Sequence, residues 1–145
     1  MTDESKLNIY IASTDSQTSI PLVGSSIHAG FPSPADDFIE TNISLDQELI
    51  RNKEATFYAR VEGDSMKDAN IHDGDLLVID RSLEPQNNKV AVCYIDGEFT
   101  VKRLLIEADH ILLMPENKAF SPIKVTDENE FLIWGIVTYV IKAVG

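Results

Sequence analysis

A serine hydroxyl attacks a peptide carbonyl only when a base takes its proton and hydrogen-bond donors wait for the oxyanion. Ser65 stands in Gly63-Asp64-Ser65-Met66, just after the strand-like run Thr56-Phe57-Tyr58-Ala59-Arg60-Val61. Gly63 permits a sharp turn, and a short helical turn from Ser65 to Asn70 would aim backbone N–H groups outward. The amides of Ser65 and Met66 are the candidate oxyanion donors. The same residues also suit an ordinary turn with Ser65 as a helix N-cap, and the tetrapeptide alone does not separate the two readings.

Lys102 is the candidate base. It lies in Phe99-Thr100-Val101-Lys102-Arg103-Leu104-Leu105, the one lysine embedded in a long apolar and β-branched run. Strand alternation puts Lys102 on the face of Thr100 and Leu104, and Arg103 on the face of Phe99 and Val101. Periodicity does not decide which face is buried, and on an edge strand both heads would reach solvent. Only a neutral lysine accepts a proton, and burial disfavours the ammonium form. Moving its pKa from about 10.4 to about 7 corresponds to roughly 4–5 kcal/mol, which demands a dry, apolar site. Arg103 cannot serve, because guanidinium stays protonated.

Ile27-His28-Ala29-Gly30 supplies a candidate substrate. Ala29 is small enough for a tight pocket on the acyl side of a scissile bond. Gly30 lets the chain bend and a nucleophile approach the backbone closely. Alone, the pair also reads as a plain turn in a flexible arm.

Other reactive side chains point to structure. Cys93, the single cysteine, sits in Val90-Ala91-Val92-Cys93-Tyr94-Ile95 and reads as a packed small hydrophobe, with no histidine near it in sequence. Asp73, Asp75 and Asp80 lack the spacing of a calcium loop. His28, His72 and His110 are scattered and form no ligand pair. Trp134 and Tyr139 read as core or dimer contacts. No metal or cofactor is expected.

The elements that must hold these residues are mainly β. Strands are predicted over Thr56–Val61, Leu76–Ile79, Val90–Ile95, Glu98–Ile106, Ile111–Met114 and Phe131–Ala143, with Gly135 a bulge or bend. Asp96-Gly97 is a strong hairpin signal between two of them. Ser44-Leu45-Asp46-Gln47 reads as a capping box opening a short helix to about Asn52. Residues 1–29 are largely polar and unpatterned and read as an arm, in which Ile20-Pro21-Leu22-Val23 can dock as a short extended piece. The expected architecture is an antiparallel sheet rolled on itself, with short helices, over residues 30–145.

Composition limits the partners. With 24 acidic and 12 basic residues in 145, the formal net charge is −12. Such a surface repels a phosphate backbone, so direct DNA binding is not expected. The acidic N-terminus is unlike a signal peptide, and no run approaches the length of a membrane span. A cytoplasmic protein without membrane contact is expected.

Taken together, Ala29-Gly30-Phe31-Pro32-Ser33-Pro34, Gly63-Asp64-Ser65-Met66, Asp73-Gly74-Asp75-Leu76-Leu77 and Asp96-Gly97-Glu98-Phe99-Thr100-Val101-Lys102-Arg103 resemble the LexA/UmuD family of self-cleaving serine–lysine proteases. That family is distantly similar to bacterial signal peptidases. The resemblance runs from about Gly30 to the C-terminus, with Ser65 and Lys102 in the family's order and spacing. Phe31-Pro32-Ser33-Pro34 follows the UmuD pattern, whereas Ala29-Gly30 is the scissile pair of LexA-type repressors rather than the Cys-Gly frequent in UmuD-like proteins. Residues 1–29 show none of the amphipathic helices of a helix-turn-helix domain.

The resemblance implies Ser65 as nucleophile, Lys102 as base, cleavage at Ala29–Gly30, and a homodimeric product. It also implies docking promoted by a RecA filament on single-stranded DNA, and a role as accessory subunit of an error-prone Y-family translesion polymerase. Rival readings are a cleavable phage-type repressor or antirepressor fragment, a non-catalytic dimeric binding module, and a signal-peptidase-like enzyme acting on other chains.

A titrating lysine has a signature. Self-cleavage without a trigger should accelerate between about pH 7 and 10, followed by intact mass against time; a flat profile counts against Lys102 as the base.

Overall fold

The computed structural model describes residues 6–13, 20–23 and 39–145. Its main body is an eight-stranded antiparallel sheet. The strands in chain order are β1 (Lys6–Ile11), β4 (Thr56–Glu62), β5 (Leu76–Asp80), β6 (Val90–Ile95), β7 (Glu98–Ile106), β8 (Ile111–Met114), β9 (Ile123–Val125) and β10 (Phe131–Ile141). A separate two-stranded sheet joins β2 (Ile20–Val23) to β3 (Ile39–Ile43). The spatial order of the large sheet is β1-β4-β5-β10-β6-β7-β8-β9. It curls so that β1 approaches β7, which makes the roll expected from the sequence.

The predicted strands are present with bounds within a residue or two, and Val90–Ile95, Glu98–Ile106 and Ile111–Met114 coincide with the expectation. Asp96 and Gly97 carry φ of 48° and 90°, the left-handed pair that a tight hairpin between β6 and β7 requires. The expected capping box is absent. Helix α1 (Leu45–Leu49) is a single turn, and Ser44 makes no side-chain cap; its carbonyl instead accepts the Glu48 N–H at 3.0 Å. The chain then breaks into a 3-10 turn at Lys53–Ala55 rather than continuing the helix. Three strands had no counterpart in the sequence reading: β1, β3 and β9.

Side chains alternate across the sheet to build two apolar layers. One holds Ala59, Val61, Met66, Leu77, Val92 and Val101, with Leu7 and Ile9 of β1 packed against it. The other holds Ala91, Cys93, Leu104, Leu113 and Ile136. Trp134 belongs to the first side as expected of a core residue: its ring meets Phe57 at 5.0 Å and Phe99 at 5.8 Å edge-to-face, and Arg81 stacks over it at 4.4 Å. Tyr139 is partly exposed at a cleft of about 450 Å³ beside Leu49, Thr56, Asp80 and Leu83. No helix among the described residues is long and apolar enough to cross a membrane.

β10 pairs with β6 through its first half and with β5 through its second, and shifts register between Ile133 and Gly135 and again between Val137 and Tyr139. Gly135 sits at the first shift, where the sequence placed a bulge. A Cβ there would lie 2.6 Å from Ile79 Cγ2, a buried branched side chain with little room to yield. Gly135→Ala should therefore cost about 1–3 kcal/mol, read as a lower urea midpoint with unchanged slope.

Candidate active site

β4 ends at Glu62, and Gly63 with φ 98° turns the chain out of the sheet. The Gly63 N–H donates to Asp73 Oδ1 at 2.9 Å, which pins the turn to the loop before β5. Ser65 and Met66 are the central residues of a turn closed by the Lys67 N–H donating to Asp64 O at 3.1 Å. A 3-10 helix follows over Lys67–Ala69, capped by Asn70 at φ 61°. The helical turn expected from Ser65 to Asn70 is thus a β-turn leading into a shorter 3-10 piece. Ser65 and Met66, the two residues whose amides the sequence offered as oxyanion donors, thus share the centre of one tight turn.

A second loop clamps the first. The Glu116 N–H donates to Ser65 O at 2.8 Å, and Asp68 N–H donates to Glu116 O at 2.7 Å. Asn117 Nδ2 donates to Asp64 O at 2.9 Å. The Glu116 carboxylate is in turn held by Arg103 Nε at 2.5 Å. Ser65 is therefore fixed through its own carbonyl and through the residue before it.

Lys102 faces this turn from the middle of β7. It is 1% exposed, and Ser65 is fully buried. Lys102 Nζ lies 3.1 Å from Ser65 Oγ, 2.7 Å from Thr100 Oγ1 and 3.0 Å from Val101 O. Opposite Lys102 on β6 is Ala91, also buried, whose small side chain leaves room for the lysine stem. Arg103, on the other face, is about one third exposed and serves the Glu116 clamp. The structure so decides which of the adjacent cations is buried, a choice that periodicity left open.

Sequence reasoning did not assign Thr100, Glu116 or Asn117 to the site. Thr100 was within reach, since it stands two residues from Lys102 on the same strand face. Glu116 and Asn117 sit in a loop remote in sequence, and nothing local marks them.

The remaining candidates are placed elsewhere. Ala29, Gly30 and His28 lie outside the described residues. Asp73, Asp75 and Asp80 do not converge: Asp75 accepts from Lys142 and from the His72 N–H, while Asp80 accepts from Asn52 and Ser82. His72 Nδ1 meets Lys142 Nζ at 3.0 Å, and His110 pairs with Asp109. Among the described residues no cluster of histidine, cysteine and acidic groups could hold a metal ion.

Cys93 is buried in the apolar layer beside Thr100 and Lys102, and burial pushes its thiol up to about 12, against an opposing pull from Lys102. A pKa raised this far keeps the thiol protonated throughout the neutral range. Iodoacetamide at pH 8 should leave Cys93 unmodified in the native protein and label it once urea unfolds the chain, with mass as the readout.

The chain is similar to known proteins over most of its length. The model of the Peptidase S24-like family matches residues 21–138. Protein MucA of Salmonella typhimurium is 43% identical over 136 residues, covering 92% of each chain. Protein ImpA of Escherichia coli is 42% identical over 125 residues, covering 83% of this chain and 82% of its own. The LexA repressor of Caldicellulosiruptor saccharolyticus is 46% identical over 108 residues, which span 74% of this chain but 52% of the repressor. A buried lysine facing a serine turn on a rolled sheet, and matches extending over nearly the whole chain, place this protein in the Peptidase S24-like family as a UmuD-like member.

Proposed function

We propose that the chain is a serine endopeptidase that cuts its own Ala29–Gly30 bond with a Ser65–Lys102 dyad. The observation that supports this most is the contact of Lys102 Nζ with Ser65 Oγ at 3.1 Å, between a lysine that is 1% exposed and a serine that is fully buried. Water is excluded from such a head group, which favours the neutral amine. A neutral Lys102 accepts the hydrogen bond from the Ser65 hydroxyl and takes its proton as Oγ attacks the Ala29 carbonyl. The Ser65 and Met66 amides receive the oxyanion. Collapse of the tetrahedral intermediate breaks the Ala29–Gly30 bond, and Lys102 delivers its proton to the departing Gly30 amine. Lys102 then takes a proton from a water that attacks the ester carbonyl, and returns it to Ser65 Oγ as the Oγ–C bond breaks and frees the Ala29 carboxyl.

Thr100 Oγ1 and Val101 O hold Nζ in line for these transfers. The substrate is part of the same chain, so its effective concentration can reach about 10⁵–10⁸ M in ideal geometry. One turnover per molecule is then sufficient, and a modest catalyst serves.

In this reading residues 1–29 are the segment removed and residues 30–145 the product. The product works as a homodimeric accessory of a Y-family translesion polymerase in the cytoplasm during the SOS response to DNA damage, and a RecA filament on single-stranded DNA promotes cleavage. The net charge of −12 suits a protein that reaches DNA through such partners. The repressor-fragment alternative is less well supported, because the match covers about half of the LexA repressor but nearly all of Protein MucA.

Intact mass after incubation at pH 7 and pH 10, with and without RecA filament, tests the reading. The wild type should yield a fragment beginning at Gly30. Ser65→Ala and Lys102→Ala should each lower the rate by on the order of 10⁴-fold or more. A wild-type chain that stays whole under every condition would show a binding module, with Ser65 a turn residue.

A further inference from the structure

Residues on the N-terminal side of Ala29–Gly30 are built into the fold at two separate places. β1 lies along the edge of β4 in unbroken antiparallel register, from Lys6 opposite Glu62 to Ile11 opposite Phe57. The Ala12 N–H continues the ladder to Thr56 O at 3.4 Å, and Asn8 Nδ2 donates to Glu62 Oε1 at 3.1 Å. Leu7 and Ile9 pack on the layer that contains Val61, Ala59 and Met66, the neighbour of Ser65. β2, also N-terminal to the bond, pairs with β3, which is C-terminal to it. The proposed scissile pair comes after β2 and before β3 in the sequence, outside the described residues.

We propose that the edge of β4 is a docking groove for residues 6–11, and that it keeps the arm bound as a separate peptide after the chain is cut at Ala29–Gly30. The inference rests on the self-cleavage reading for its biological setting, but not for its test. Removing β1 would leave the β4 edge with unpaired backbone groups and open the apolar layer beneath Leu7 and Ile9; keeping it there costs no new ordering. The second attachment, β2 on β3, belongs to the same peptide. After one strand lifts, the other holds it near its site, which slows escape. Cutting the bond and losing the arm are then two separate steps, the second waiting on release of β1 from the β4 edge.

The test uses the full-length Ser65→Ala chain with positions 27–32 replaced by the recognition sequence of a site-specific protease. After cutting, native size exclusion with mass detection asks which pieces share a peak. The parent should carry the arm and the body together in equal amounts, and separate them only in denaturant. Leu7→Asp with Ile9→Asp places charges against the apolar layer and should weaken retention by about tenfold or more, so that the arm elutes alone. Ile11→Asp, at a position 81% exposed, should leave retention unchanged. All three substitutions lie in the arm, so circular dichroism of the body peak reports whether the body itself is intact. An arm that leaves the parent's body peak under native conditions overturns the proposal. Failure of the wild type to cut at Ala29–Gly30 overturns the self-cleavage reading instead, and leaves this result standing.

Discussion

The amine of Lys102, shut away from water, is the constraint on which the rest of the molecule depends. A lysine head group is costly to bury unless it is neutral or surrounded by acceptors. Here Ser65 Oγ, Thr100 Oγ1 and Val101 O all stand within 3.1 Å of it. Each requires something of the fold. Thr100 must share a strand face with Lys102, which needs regular β7 pleating. Ala91 must lie opposite, which fixes the register of the β6–β7 hairpin and hence the Asp96-Gly97 turn. Ser65 must be held still, which takes the Asp73 anchor on one side and the Glu116–Asn117 loop on the other.

The clamp explains an economy in the charged residues around the site. Arg103 and Lys102 are adjacent in sequence and point to opposite faces. Lys102 enters the dry layer; Arg103 holds Glu116, whose backbone grips the Ser65 carbonyl and the Asp68 amide. One strand thus supplies both the group that faces the serine hydroxyl and the cation that steadies the serine backbone. A substitution at Arg103 would act on Ser65 through Glu116, without touching Lys102.

Much of this was legible in the sequence. Short-range chemistry fixed the hairpin at Asp96-Gly97, the bulge at Gly135 and the turn at Gly63, because each depends on a backbone state that few residues adopt. Runs rich in Val, Ile and aromatics marked β5, β6, β7, β8 and β10. The Ser65–Lys102 contact came from four motifs read together, since no periodicity could say whether Lys102 or Arg103 turns inward. The misses have a common cause. β1, β3 and β9 are strands only because a neighbour pairs with them, and Lys6–Ile11 mixes polar and apolar residues as any edge segment would. Ser44 is the right residue type for a cap, but α1 is a single turn with no buried residue, and so short a helix has little to stabilise it.

Among the described residues, β10 is the strand that joins the two halves of the large sheet: β1-β4-β5 lies on one side of it and β6-β7-β8-β9 on the other. Ser65 hangs from the first half and Lys102 from the second. Yet β10 comes last of all these strands along the chain. On a ribosome the serine-bearing and lysine-bearing halves can each pair locally as they emerge, but the sheet that brings them together waits for Phe131–Ile141. The sheet is therefore closed by its last strand: both halves are complete in the chain before Phe131–Ile141 is there to pair with β5 on one side and β6 on the other.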